Sequence, residues 1–539
     1  MGRKKGKKAV EPVAATLQTY TSILLDVAIC AYILLILVVM PLYHQEGYTH
    51  IGTDKARFFA DVSTGTAKIV LPLLALSLFL SAKKAWHKRG NASRLWIYLK
   101  ENLSATDVFA LAYGASLLLS YLFSRYKGDA RWGVAGWYMG LYPQLILVGI
   151  YFSISRAWKP RKWIFHALFP VSAVVFLLEY LNRFDIYPID MGSYGPSFIS
   201  TIGNINWYCG YQVSVFFAGM ILLWQGVAYR MWQRLLLMAY VLLGFASLVT
   251  QGSSSGMFAM AAVTLVMFCM SVSDSGRMYR FWQEMVLFGG ACLLTFGIQV
   301  FTGRNINYKD DFLLFLSTKE AVVFLFAVSM SMLGVAAVDR KRRSHLEGFW
   351  RTLKRVFVGG TVILILGYSA ALIVNTLHPG SIGALSENPA FLFSNAWASN
   401  RGATWKAAML CFLEQDFLHK LTGVGPDAMK AYIYNGGSPK LLEIVETTFG
   451  TTRLTNAHNE WLTVLVDTGV LGLVSYVGWM ASGMVRFLKE RDSNLISRAC
   501  GFCLLGFTAN NIFSFQQSMS VATVFVIFGM GEAFYRNRK

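Results

Sequence analysis

The stretch AHNEWLTVLVDTGVLGLVSY, residues 457–476, sets a histidine just ahead of a long apolar run. Imidazole is the usual general base near neutral pH. Arginine forks are the usual ligands of phosphate oxygens. Arg401 and Arg453 lie upstream of His458, while Glu460 and Asp467 follow it. A base beside anion-binding arginines suits transfer of a group away from a phosphate leaving group. The plain alternative is an interfacial or capping histidine without chemistry. On a continuous helix, at about 100° per residue, His458, Leu462 and Gly469 share one face. Gly469 and Gly472 then allow a neighbouring helix to approach closely. This reading places His458 in the first turn of a membrane span, at the water–lipid boundary.

The elements that must position these residues are membrane helices. Of 539 residues, 55% are hydrophobic and only 14% charged, with a mean hydropathy of +0.46. Apolar runs long enough to cross a roughly 30 Å hydrocarbon core recur along most of the chain. The reading is an all-α, polytopic helical membrane protein of about fourteen spans. Its parts are a basic N-terminal segment at 1–19, spans one to eleven within 20–374, a large polar loop at 375–457, spans twelve to fourteen within 458–535, and a basic tail at 536–539. The segments near 137–155 and 496–512 count among the fourteen.

A net charge of +20 suggests a nucleic-acid partner, but the basic residues argue otherwise. They fall in short clusters between apolar runs, such as MGRKKGKK at 1–8 and DRKRRSHLEGFWRTLKR at 339–355. With both termini cytoplasmic, these clusters all land inside, as the positive-inside rule requires. The loop 375–457 then lies outside. Within it, 399–418 reads as a helix with an apolar stripe through Trp405, Met409, Phe412 and Leu413, suited to lying on the membrane surface. LTGVGPDAM follows, with a glycine turn at Gly423 and Gly425 and a short helix from about Asp427. Seven cysteines, including a C-x-x-C at Cys500 and Cys503, read as ordinary helix residues. Asp310 and Asp311 form an acidic pair suited to a divalent ion, although neighbours on a loop more often point apart.

The residues around His458 resemble the O-antigen ligase and polymerase family, membrane glycosyltransferases that take glycans from polyprenyl diphosphate at the outer face. The family's H-x-x-x-L-x-x-x-x-x-x-G pattern is matched by His458, Leu462 and Gly469, and the similarity continues through DTGVLGL. NRGATWKAAM, LTGVGPDAM and STIGNINWYCGY, the last carrying Asn204 and Asn206, are similar to the family's further segments. The resemblance implies His458 as base, with Arg401, Arg453, Asn204 and Asn206 on the diphosphate or substrate. It requires no cofactor and no metal. The donor is a polyprenyl-diphosphate-linked glycan, the acceptor a glycan, lipid or protein, and the location the bacterial cytoplasmic membrane.

One departure stands out. TQGSSSG places Ser255 where the family often carries an arginine, leaving Arg401, Arg453, Arg304 and Arg183 as candidates for the anion. Asn204 and Asn206 read equally as helix caps, Arg453 as an exposed loop charge, and Lys406 as a solvated residue. Other readings remain open at this stage. A polymerase would share the donor chemistry, and another membrane glycosyltransferase class would use Glu46, Asp54 or Asp61 as base. A lipid-linked-glycan flippase would use ionisable residues in its spans, chiefly Asp26 and Glu179.

Overall fold

The computed structural model describes residues 5–88, 102–192, 195–227, 230–308, 310–342, 346–489 and 494–537. Its long apolar segments are helices, each satisfying its own backbone groups as hydrocarbon demands. Helix α1 (Lys5–Leu34) passes through one wide π turn (Leu35–Val39) to end at Leu42, and α2 spans Ile51–Lys88. Buried Lys55 fastens the two. Its Nζ donates to the carbonyls of Met40 (2.8 Å), Pro41 (3.1 Å) and Tyr43 (2.9 Å) at the end of α1, where helical acceptors lack partners.

After α3 (Ala105–Phe123) come the short α4 (Lys127–Trp132), α5 (Leu141–Ala157) and α6 (Ile164–Asn182). An antiparallel hairpin, β1 (Phe198–Ile199) with β2 (Gly203–Asn204), pairs Phe198 with Asn204 and leads into α7 (Ile205–Gln225). Among the described residues, this hairpin is the one departure from an all-helical chain. The series continues with α8 (Met231–Thr250), α9 (Ser254–Ser271), α10 (Ser275–Thr302), α11 (Asp311–Phe315), α12 (Lys319–Arg342) and α13 (Glu347–Leu377).

The large connection follows, with α14 (Trp397–Glu414), α15 (Phe417–Thr422), α16 (Met429–Gly436) and α17 (Pro439–Phe449). The helix read at 399–418 is divided. Ala398, Ser399 and Asn400 adopt positive φ, so regular helix begins at Arg401, and Asp416 starts α15 by accepting from the His419 amide at 2.9 Å. The buried face of α14 is made of small residues, Gly402, Ala403, Ala407, Ala408 and Cys411, while Met409 and Leu413 face outward. The chain closes with α18 (Glu460–Leu488), α19 (Leu495–Asn510) and α20 (Ser518–Arg536).

Twelve of the described helices have the length and hydropathy to cross a membrane, so this is an integral membrane protein with about twelve candidate spans. The sequence-based count of fourteen is not reached. The segments read near 137–155 and 496–512 are α5, with 17 residues, and α19, with 16. Both are shorter than α9, which at 18 residues is the shortest of the twelve, and they stand at the lower limit of what an upright helix needs to cross.

The centre of the bundle is α7, buried along its length, with α20 nearly as enclosed. α19 packs on both, and α5 on α20. At the other extreme stands α13. Its apolar window has no buried residue, and it meets the bundle through Phe357 against Phe268 (5.2 Å) and through buried Trp350, which donates to Asp339 (3.0 Å). Asp26 accepts from Arg161 and from the Lys159 amide (2.8 Å), while Glu179 pairs with Arg183 (3.5 Å) and Thr250 (3.1 Å). Both carboxylates that a transporter reading would use are structural ties.

Candidate active site

His458 does not belong to the helix that follows it. Helix α18 starts at Glu460, and the Asn459 side chain caps it by accepting from the Leu462 amide at 3.0 Å. His458 itself has φ of 47°, a left-handed conformation that costs a side-chain-bearing residue about 1–2 kcal/mol unless its surroundings hold it. Here they do. Its amide donates to Asn456 Oδ1 (2.9 Å), and Thr404 of α14 donates to the carbonyl of Ala457 (2.9 Å). Two residues on, the Glu460 amide donates to the Asn511 carbonyl (3.0 Å), and the Glu460 carboxylate accepts from the Gln516 amide (2.7 Å). The imidazole meets Phe515 edge to face at 5.1 Å, and Trp137 packs on Phe515 at 5.0 Å. Trp137 also donates to Thr455 Oγ1 at 2.9 Å.

The shared helical face of His458, Leu462 and Gly469 is therefore overturned at both ends. His458 precedes the helix, and Gly469 breaks it, with φ of 67° and ψ of −170°. Only glycine adopts that conformation readily. A Cβ at Gly469 would also strike the Leu421 and Thr422 backbone. The break admits the loop's glycine turn. Val424 donates to the Val466 carbonyl (3.1 Å) and Gly425 to the Asp467 carbonyl (3.0 Å). The Asp467 carboxylate accepts from the amides of Asp427 (3.1 Å) and Met429 (3.0 Å), which fixes the start of α16. Leu462 is half-buried against the loop's own apolar core, and Gly472 lies over the Thr468 hydroxyl.

Asp427 extends this network. Its carboxylate accepts from the amides of Val134 (2.7 Å) and Met139 (3.1 Å), shaping the α4–α5 connection that carries Trp137. Burial pushes its carboxyl up to about 7, against those two amide bonds. Sequence reasoning took Asp427 for the start of a helix. The signal in the sequence is its place two residues after Gly425, behind the glycine turn.

Arg401 occupies the first regular turn of α14. It donates to the Phe513 carbonyl from Nη2 (3.0 Å) and Nε (3.3 Å), and to the Ala398 carbonyl from Nη1 (3.1 Å). Arg401 and His458 thus both bear on the connection 511–517 between α19 and α20, one through Phe513 and the other through Phe515. Burial, followed by the positive field of Arg401, pushes the His458 imidazole down to about 4. The ring is neutral at pH 7, with a lone pair available. Burial also holds Arg401 below the usual guanidinium range, partly offset by Tyr308 and Asp310.

The other candidates are placed less centrally. Arg453 is exposed, its guanidinium over the Tyr434 ring at 5.0 Å. Arg183 is fully buried and spent on Glu179, the Gln251 carbonyl (2.5 Å) and the Pro196 carbonyl (2.8 Å), so its reading as an anion ligand is overturned. Arg304 donates to the Phe184 carbonyl (2.9 Å), and Lys406 to Asn395 (3.1 Å). Asn204 is the cap of α7, accepting from the Asn206 amide at 2.9 Å, while Asn206 accepts from Ser253 at 3.4 Å. Ser255 is buried in the first turn of α9, its hydroxyl 2.7 Å from that of Ser253.

Asp310 accepts from Ser254 (2.8 Å) and from the Leu313 amide (3.0 Å), so it serves as a cap in this structure. The Asp311 side chain lies outside the described residues. Of the acids read into the first loop, Glu46 alone precedes α2 and is exposed beside His50 (3.9 Å), whereas Asp54, buried and accepting from the Gln45 amide (3.3 Å), and exposed Asp61 both lie on α2. Cys500 and Cys503 are buried in α19 and form no disulfide.

Comparison with known proteins adds one finding. A family model described as O-antigen ligase matches residues 312–477. No curated protein matches the chain. The matched segment runs from α11 into α18 and holds Arg401, Arg453, His458, Leu462, Gly469 and Gly472, whereas Asn204, Asn206 and Ser255 precede it. Residues 312–477 of this membrane protein are thus similar to the O-antigen ligase family.

Proposed function

We propose that the protein transfers a glycan from undecaprenyl diphosphate to an acceptor hydroxyl at the outer face of the bacterial cytoplasmic membrane, as an inverting ligase that needs no metal. The observation that carries this reading is the half-buried His458 imidazole and the Arg401 guanidinium brought to one connection, 511–517, inside the segment that matches O-antigen ligase. The acceptor oxygen attacks the anomeric carbon from the face opposite the diphosphate. Its proton passes to His458 as the carbon–oxygen bond to the diphosphate breaks. Arg401 stabilises the departing anion, with Arg453 as its second in the same loop.

The depressed basicity of His458 fits this sequence. An unprotonated base is ready before the donor arrives, and the donor's negative charge offsets the field of Arg401 and raises the proton affinity when it is needed. Asn206 and the Ser253–Ser255 turn supply polar groups where an arginine is missing. The large loop lies outside, at the end opposite the long basic connections.

The test is purified protein in nanodiscs, given a polyprenyl-diphosphate-linked glycan and candidate acceptors, beside His458→Ala. Release of free polyprenyl diphosphate by wild type alone supports the assignment. One capped product identifies a ligase, and a ladder of lengthening products a polymerase. Equal release by His458→Ala would sink the mechanism.

A further inference from the structure

A groove of about 410 Å³ runs between α1, α2 and α5, apart from the residues discussed above. Its walls are chiefly apolar, among them Ile29, Val70, Leu71, Leu145 and Ile150. Small residues open it, notably Ala67 and Gly149, and a Cβ at Gly149 would meet nothing within 4 Å. Since α1 and α2 are membrane spans, the medium that reaches the groove is hydrocarbon rather than water. From Tyr142 to Ile154 it follows α5 for about 18 Å at 1.5 Å per residue.

One end of this groove is chemically distinct. Trp132 and Tyr142 stand 5.3 Å apart there, and the Arg131 guanidinium lies over the Tyr142 ring at 5.2 Å. Arg125, Lys127 and Arg131 are exposed in this short stretch, with Asp129 its one acid. This is also the end that bears His458, because the connection leaving α4 carries Trp137, bonded to Thr455. Aromatic rings with cations at head-group depth match an anionic lipid. Neither His458 nor Arg401 lines the groove, so a lipid with its phosphate at Arg131 is not the donor poised for transfer.

We propose that this groove binds one acyl chain of an anionic phospholipid, with the lipid phosphate at Arg131. Such a lipid braces the α4–α5 connection and, through it, Trp137. The test uses the full-length protein in phosphatidylcholine nanodiscs containing a phosphatidylglycerol with a photoreactive acyl chain. Adducts are expected on residues 63–71 and 145–154, competed at least ~5-fold better by phosphatidylglycerol than by added phosphatidylcholine. Arg131→Gln removes that preference. Gly149→Leu, which has room for its side chain, removes the adducts. Labelling of lipid-exposed α13 as strong as labelling of the groove would overturn the proposal, as would adducts that persist in Gly149→Leu. Stronger competition by undecaprenyl phosphate than by phosphatidylglycerol would also overturn it and reassign the groove to the carrier lipid.

Discussion

Replacing Arg401 by glutamine tests the electrostatics of the site directly. His458 is displaced from 6.5 to about 4, with burial the larger cause and the Arg401 guanidinium the smaller. Removing the guanidinium therefore returns the midpoint less than half of the way, to at most about 5. The difference is largest between the two midpoints. At about pH 4.5, roughly three quarters of His458 is unprotonated in wild type, and at that upper bound roughly one quarter is in Arg401→Gln, a change in reactive imidazole of up to about threefold. Diethyl pyrocarbonate modifies only the unprotonated ring, and mass analysis of the peptide containing residue 458 separates it from the other histidines. Initial modification rates across pH give both midpoints. Adding polyprenyl diphosphate to wild type should move the midpoint upward as well, because the anion offsets the same positive field. A wild-type midpoint at or above 6.5 would mean that the ring is open to water, and an unchanged midpoint in Arg401→Gln would mean that the guanidinium does not act on it. Either result refutes the argument.

Other expectations follow from the same contacts. Gly469→Val forces a β-branched residue into glycine-only backbone space against Leu421, and should cost at least ~3 kcal/mol, seen as a lower midpoint of thermal unfolding in detergent. Asp427→Leu orphans the amides of Val134 and Met139 and should cost about 2–4 kcal/mol, whereas Asp427→Asn, whose amide oxygen can accept both, should stay within about 0.5 kcal/mol at neutral pH. Because the Asp427 carboxyl rises from 3.8 to about 7 on folding, its contribution is fully present below about pH 4 and lost as pH rises through about 7. Asp427→Asn should flatten that slope, and a slope unchanged by the substitution would refute the assignment. Lys55→Met leaves the carbonyls of Met40, Pro41 and Tyr43 without their shared donor, so it should lower thermal stability more than Lys68→Met on the exposed face of α2.

Composition and the lengths of the apolar runs were enough to read a helical membrane protein, because hydrocarbon leaves a chain few alternatives. The motif around His458 was legible for a similar reason, since it is contiguous and chemically distinctive. What periodicity could not convey was the backbone of that motif. Extrapolating a regular helix through 458–469 ignored Asn456 and Asn459, whose side chains end and start structure locally, and treated Gly469 as a packing residue when its φ breaks the helix. The roles of Asp427 and Asp467 depend on partners 288 to 293 and 38 to 40 positions away, respectively. No local pattern carries that information. Arg183 remains a candidate by sequence, behind Arg401 and Arg453, and the packing around Glu179 and Gln251 is what removes it.

The seam at the broken helix also fixes an order of events during synthesis. The glycine turn at 423–425 and the start of α16 close on backbone and carboxylate groups of residues 466 and 467, which leave the ribosome later than the loop they complete. The loop must therefore wait, unfinished, until α18 has been laid into the membrane. A fragment comprising the connection alone lacks those acceptors, and it should not close the glycine turn when expressed by itself. Supplying 460–488 in trans, as an inserted helix, would be the way to let it close.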